Sequence, residues 1–352
     1  MHVEHEAKLG LFEKYLTLWI VVCIIIGLLL GRYVPALVSI LNSITIAELG
    51  YLPLPIGIFL FLMMYPTVAG IEFSEVKKAA RTPKPLVLTL IANWIIAPPL
   101  MVLLSRIFLS NYPEFAHGVI LLGIAPCTAM VLFWIMFAKG NIAQGLVITA
   151  VNAISIVILY APSSAFWLGV SGINMGEIIY SVALDVLIFV AIPIVLGVFL
   201  RREFTKRRGK EWYNNTYLGV MQKLAMIALL GTLIVLFTYE GETILAQPLI
   251  VGLIAVPVFL HEALMLPLLL GITWFANWKY EIGVASAIIG SSTHFEIAIT
   301  VAITLFGVGS GAALATVVGP LIEVPVMVSF AKLAMRTRHR FPRRNLQKNA
   351  KT

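Results

Sequence analysis

The sequence predicts an all-α integral membrane protein, with ten transmembrane helices arranged as two inverted five-helix repeats. Three observations predict it. The 352 residues are 60% hydrophobic and only 12% charged, with a mean hydropathy of +0.97. Globular chains average about 25% charged residues, so a soluble enzyme, a disordered chain and a collagen-like chain are excluded. Ten runs are long and apolar enough to span a bilayer, which takes about 20 residues. Lys and Arg fall almost wholly on one side of the alternation those runs create.

The ten runs are 15–34, 52–70, 86–109, 118–138, 142–168, 178–200, 219–238, 248–271, 282–306 and 311–334. Residues 1–14 mix Glu4, Glu6 and Glu13 with Lys8 and Lys14 and read as a cytoplasmic N-terminus. The first run ends at Gly31-Arg32 without a small-residue cleavage site, so it reads as a retained helix rather than a signal peptide. Residues 35–51 are too polar to span and are expected at the interface. The first repeat covers 15–170 and the second 171–334, followed by a basic cytoplasmic tail, 335–352. That tail reads as an orientation signal beside anionic membrane lipid rather than a partner site.

Of the 25 Lys and Arg residues, all but Arg32 and Arg106 fall on the side of the N-terminus. This asymmetry places both termini in the cytoplasm of a multi-pass plasma-membrane protein and requires an even number of crossings. It also explains the net charge of +8 without nucleic acid. Cys23 and Cys127 lie in apolar runs and form neither a disulfide framework nor a zinc spacing. No metal site and no cofactor are expected.

The repeat rests on spacing. Runs two and seven start 167 residues apart, runs five and ten 169, runs three and eight 162. Five helices per half is an odd number, so the second half is inverted, as in many secondary transporters. Run four is interrupted at mid-span by Pro126, followed by Cys127 and Thr128. Run nine is interrupted from Gly290 through Ser291, Ser292, Thr293 and His294 to Glu296. Pro126 and Gly290 are the expected helix breaks. Proline removes a backbone hydrogen bond, and unpaired backbone at bilayer depth persists only beside protein or a wet cavity. Corresponding breaks in both halves point to a substrate site. The competing reading is a simple proline kink beside a Ser/Thr packing face.

Polar residues within the runs fill out that site. Glu296 stands beside the second break, where a carboxyl is costly unless protonated, paired or wet. It suits either carrying a proton or coordinating sodium beside freed carbonyls. Glu323, between Pro320 and Pro325, is a second candidate for ion coupling. His294 titrates near neutral pH when unperturbed. Asn93 and Asn152 either line the same cavity or join helices. Asp185 and the His261-Glu262 pair read either as relay groups or as structural groups paired with each other or with a neighbour, and the structural reading is preferred. Cys23 reads as a small buried hydrophobe. Cys127, beside the break, offers one thiol to a soft metalloid, a reversible grip that suits transport.

Long stretches now resemble a known family. FEKYLTLWI, LMMYP, TPKPLVLTLIANWIIAPPLM, APCTAMVLFW and FEIAITVAITLFGVGSGAALATVVGPLIEVPVM carry a resemblance that extends over nearly all of the chain. It is identified as a member of the arsenical-resistance arsenite permeases, within the bile acid/arsenite/riboflavin transporter superfamily. The resemblance implies a ten-helix carrier whose broken helices four and nine cross at mid-membrane. It implies proton-driven export of arsenite and of antimonite. The family's functional cysteine falls on Cys127, its Phe-Glu glutamate on Glu296, and the glutamate of its GPLIEVPVM segment on Glu323. Substrate contacts are then expected from Cys127, Thr128, Asn93, Asn152, Ser292, Thr293 and His294. The chain departs from the family twice. Ile135 and Met136 follow Trp134 where the family has Asn-Asp, and Thr293-His294 replaces Asn-Asn.

The first expectation is therefore trivalent-arsenic efflux by proton antiport and alternating access. The alternative is sodium-coupled transport of a small organic anion, as in the bile-acid branch. No metalloprotease motif, nucleophile elbow or nucleotide loop supports an intramembrane enzyme. Paired breaks favour a carrier over a channel, and no appended signalling domain supports a sensor.

Overall fold

The computed structural model describes residues 16–46, 52–70, 83–128, 130–169, 174–246 and 248–342. The expected N-terminal segment 1–14 and the end of the basic tail lie outside the described residues. The first half contains α1 (Leu16–Tyr33), α2 (Pro35–Ser43), α3 (Leu54–Ala69), α4 (Pro83–Ile91), α5 (Ala97–Phe108), α6 (Pro113–Ile124), α7 (Val131–Phe137) and α8 (Ile142–Gly169). The second contains α9 (Met175–Val186), α10 (Ile192–Arg208), α11 (Leu218–Ala246), α12 (Pro248–Phe275), α13 (Tyr280–Ser291), α14 (Phe295–Phe306) and α15 (Gly311–Thr337). The only extended pairing between named strands, among the described residues, joins Thr45–Ile46 to Leu52–Pro53.

Helix occupies each of the ten apolar runs. Six helices are long and apolar enough to cross a bilayer, among the described residues, and α1 with α2 makes a seventh if a bend of 98° is allowed. The chain is thus a multi-pass membrane protein. Runs four and nine are each split in two, as α6 with α7 and α13 with α14.

Prolines explain several local features. α4 joins α5 through a π turn, Ala92–Ile96, just before Pro98; α9 joins α10 through another, Leu187–Ala191, just before Pro193. A proline lacks the N–H of the regular ladder, and the wider turn accommodates its ring. Pro320 and Pro325 leave α15 continuous. Gly290 corrects an expectation: it lies inside α13, and the break begins two residues later at Ser292. Its missing side chain serves packing, since a Cβ there would stand 2.6 Å from Leu269 and 3.0 Å from Ala92.

The helices sort into two groups. α1 and α3 pack on α11, and α10 packs on α3. In the other group α6 packs on α5 and α15, α13 on α4 and α12, and α14 on α9 and α15. The continuous α9–α10 rod joins them, with α9 against α8 and α14 and α10 against α3. Polar contacts finish α3: Arg201 Nη1 donates to the Ala69 and Gly70 carbonyls at 3.3 and 3.0 Å, and Tyr213 Oη donates to Ala69 at 3.1 Å. These are the carbonyls that a helix end leaves without an intrahelical donor.

Candidate functional site: the crossing of two broken helices

α6 ends at Ile124 and α7 begins at Val131; α13 ends at Ser291 and α14 begins at Phe295. The two interruptions meet. Pro126 and Thr293 form an isolated antiparallel bridge, and the His294 amide donates to the Ala125 carbonyl at 2.9 Å. Backbone groups freed by one break are thus partly satisfied by the other, which is how unwound chain persists inside a helical protein. Two helix C-termini and two N-termini converge there, supplying oriented carbonyls and amides.

Side chains from five helical segments surround the bridge. Thr128 Oγ1 and His294 Nε2 are hydrogen-bonded at 2.8 Å. On the other side of the ring, His294 Nδ1 lies 3.1 Å from Glu296 Oε2 and accepts the Ile297 amide at 3.4 Å as the cap of α14. Glu296 stands in the first turn of α14, where the helix dipole favours negative charge.

A second chain of contacts runs through the amides. The π turn carries Asn93, whose Nδ2 donates to Asn152 Oδ1 of α8 at 3.2 Å. Asn152 Nδ2 in turn donates to the Cys127 carbonyl at 3.4 Å. Ser155 extends it, receiving Trp94 Nε1 at 3.1 Å and donating to the Asn152 carbonyl at 2.8 Å. A third contact comes from α15, where Glu323 accepts a hydrogen bond from Ser292 in the second break. Glu323 also interacts electrostatically with Glu296 and with Glu262 of α12.

Every expected contact residue therefore belongs to one cluster: Cys127, Thr128, Asn93, Asn152, Ser292, Thr293, His294, Glu296 and Glu323. All are buried, with Asn152, Thr128 and His294 at 0% exposure and Cys127 at 2%. Burial leaves some of their polar atoms without a hydrogen bond, including Thr293 Oγ1 and Glu296 Oε2. Such atoms are costly in a dry interior and favour a proton or a polar guest.

Other expectations resolve differently. Asp185 pairs with Thr304 Oγ1 at 3.1 Å, away from the bridge. His261 and Glu262 are fully enclosed, yet neither the imidazole nor the carboxyl has a hydrogen-bond partner among the described residues. Ile135 is fully buried, and a Cβ added at Gly140 would meet it at 2.9 Å. Ile135 is therefore an apolar contact, although the resemblance leads one to expect an amide there. Trp94 and Ser155 were not legible as site residues, because nothing in a smooth apolar run marks a bond across 61 positions.

Comparison with known proteins agrees with this architecture. Residues 57–247 match the Sodium Bile acid symporter family. An uncharacterised transporter of Synechocystis is 40% identical over 97% of this chain and 93% of its own length. The arsenical-resistance protein Acr3 of Alkaliphilus metalliredigens is 39% identical over 97% of both chains. The Acr3 of Corynebacterium glutamicum is 33% identical over 92% of this chain and 88% of its own. With its two interrupted helices meeting over a buried polar cluster, the chain belongs to the sodium bile acid symporter family, a family of membrane transporters, alongside its arsenical-resistance members.

Proposed function

We propose that this protein exports trivalent arsenic as arsenite, and antimonite alongside it, across the plasma membrane by proton antiport and alternating access. In this reading the chain crosses ten times with both termini in the cytoplasm, as two inverted repeats. The recurrence of packing supports a repeat: α11 meets α1 as α3 meets α10, and α13 meets α12 as α6 meets α5.

The observation that carries the proposal is the crossing itself. It gathers a thiol-bearing residue, hydroxyls, amides and two carboxyls around unwound backbone. Arsenite near neutral pH is an uncharged trihydroxide. Its hydroxyls suit Thr128, Ser292, Thr293 and the Asn93–Asn152 pair, while Cys127 offers the soft donor that arsenic prefers. A single thiol binds reversibly, whereas three would retain the cargo.

The contact of His294 with Glu296 supports a proton as the coupling ion. Two lone pairs facing each other at 3.1 Å are stable with one proton between them. Cargo and proton then compete: binding arsenite releases the proton, and reprotonation from outside expels the cargo. Glu323, held to Ser292 of the second break, relays the change to α15. The α1, α3, α10 and α11 group serves as the frame against which the crossing moves.

The second reading is sodium-coupled carriage of an organic anion. The family match and the Ile135–Met136 departure favour it. His294 weighs against it, because hard cations prefer a shell of oxygens and an imidazole stands beside Glu296. Expression in an arsenite-sensitive host separates them. Wild-type protein is expected to restore growth and Glu296→Gln to abolish it at equal membrane abundance. Full resistance in that variant would refute the proton role.

A further inference from the structure

We propose that the adjoining ends of α12, α13 and α15, with Lys279 just before α13 and Arg338 and Arg340 just after α15, form a binding site for one anionic phospholipid. Two adjoining recesses carry the inference. The first, about 650 Å3, lies among Lys279, Glu281, Arg338 and His339. The second, about 250 Å3, is walled by Leu266, Leu270, Gly271, Trp274 and Leu333, with Arg340 at its border. Phe341 lines both, so a polar recess and an apolar groove share a wall.

The two halves have the chemistry of a lipid. The groove runs along the outward faces of α12 and α15, where Trp274 is 42% and Leu333 49% exposed. Apolar walls opening outward from a membrane helix suit an acyl chain, and Trp is favoured at the headgroup level. In the polar recess Arg338 Nη2 already pairs with Glu281 Oε1 at 2.8 Å and lies over the Tyr280 ring. Lys279 remains there as surplus positive charge with His339 beside it, Arg340 adds another from the lining of the adjoining groove, and basic pockets at this level of a membrane protein bind anionic headgroups.

The recess is built rather than incidental. Trp274 Nε1 donates to the Arg340 carbonyl at 2.9 Å, and Phe341 packs edge-on to Tyr280. Tyr280 Oη donates to the Ala138 carbonyl at 2.8 Å, just beyond α7. A lipid seated here therefore braces the outer ends of both broken helices. The sequence after Pro342 carries Arg343, Arg344, Lys348 and Lys351, of the same sign as the recess. Charge complementarity selects an anionic lipid over the protein's own tail.

The test uses the full chain purified in neutral detergent. Retained lipid is read by native mass spectrometry, and the apparent melting midpoint is followed with added lipid or inorganic phosphate. Phosphatidylglycerol is expected to be retained and, at saturation, to raise the midpoint by about 2–5 °C. Phosphatidylcholine and millimolar phosphate are expected to leave it unchanged. Two variants probe the two recesses. Lys279→Gln with Arg340→Gln removes the surplus charge while keeping the Arg338–Glu281 pair. Gly271→Leu fills the groove, where a Cβ meets nothing within 4 Å. Each is expected to weaken phosphatidylglycerol binding about tenfold without lowering the lipid-free midpoint. An equal shift with phosphatidylcholine would overturn the headgroup. The full shift with phosphate alone would overturn the lipid in favour of a soluble anion. Undiminished binding in both variants would overturn the location.

Discussion

Single residues decide what the crossing can hold. Asn152 is the clearest case, because one amide donates to the Cys127 carbonyl and accepts from Asn93. Replacing it with Ala strands a buried donor and a buried acceptor, each of which loses water without gaining a partner. The expected cost is about 1–3 kcal/mol, read as a lower melting midpoint for Asn152→Ala in detergent. An unchanged midpoint would mean that water already serves those groups. Cys127→Ser should behave differently. It keeps the backbone carbonyl that Asn152 uses, so its expected effect is on cargo and not on the fold. His294 works in both directions at once, bonding Thr128 through Nε2 and meeting Glu296 through Nδ1. A glutamine there reaches only one of those partners, so His294→Gln belongs with the variants expected to uncouple transport.

Among elements, the close approach of α6 to α15 sets how tightly the crossing is held. A Cβ at Gly118 would stand 2.2 Å from the Ala312 carbonyl oxygen, whereas one at Gly252 would meet nothing within 4 Å. Gly118→Leu is therefore expected to cost about 1–3 kcal/mol or more through overpacking, while Gly252→Leu changes little. Matched thermal melts check the contrast, and equal effects would show that the α6–α15 contact bears no load. Small residues are what permit such contact between helices in a bilayer, where apolar surface alone gives no preference for a partner.

The same scale shows what the sequence carries. Apolar runs located the long helices, because length and hydropathy are local properties, but not α2 (Pro35–Ser43) or the helical turns at Lys210–Tyr217, which lie outside every run. Pro126 marked the first break, because proline acts on its own backbone. The second break has no proline, and polarity alone put its edge at Gly290, two residues early. That glycine is there for Leu269 and Ala92, which no local pattern reports. Glu296, Glu323 and Cys127 were legible as costly or reactive groups in apolar surroundings. Their partners were not: Thr128 with His294 spans 166 positions and Ser292 with Glu323 spans 31. The π turn at Asn93 was equally hidden, since it depends on how the following Pro98 is accommodated.

For the whole molecule, the distribution of Lys and Arg gives an orientation that can be checked directly. Fluorescent-protein fusions at either terminus are both expected to fluoresce in intact cells, since that fold matures only in the cytoplasm. A dark fusion at one end would make the number of crossings odd and remove the inverted repeat. The division into an α1, α3, α10 and α11 group and a crossing group gives alternating access a mechanical basis, with the α9–α10 rod running between them. The buried cluster has no exposed member in the described conformation, and in the proposed export cycle the two groups separate on one side at a time to admit cargo. Most directly, arsenite uptake into everted membrane vesicles under an imposed proton gradient tests the claim that Cys127 and Glu296 form one proton-coupled export site. Gradient-dependent accumulation by the wild type, lost in Cys127→Ser and in Glu296→Gln, is the predicted result. Folded wild-type protein that accumulates no arsenite, or a Glu296→Gln variant that accumulates it normally, would contradict the account.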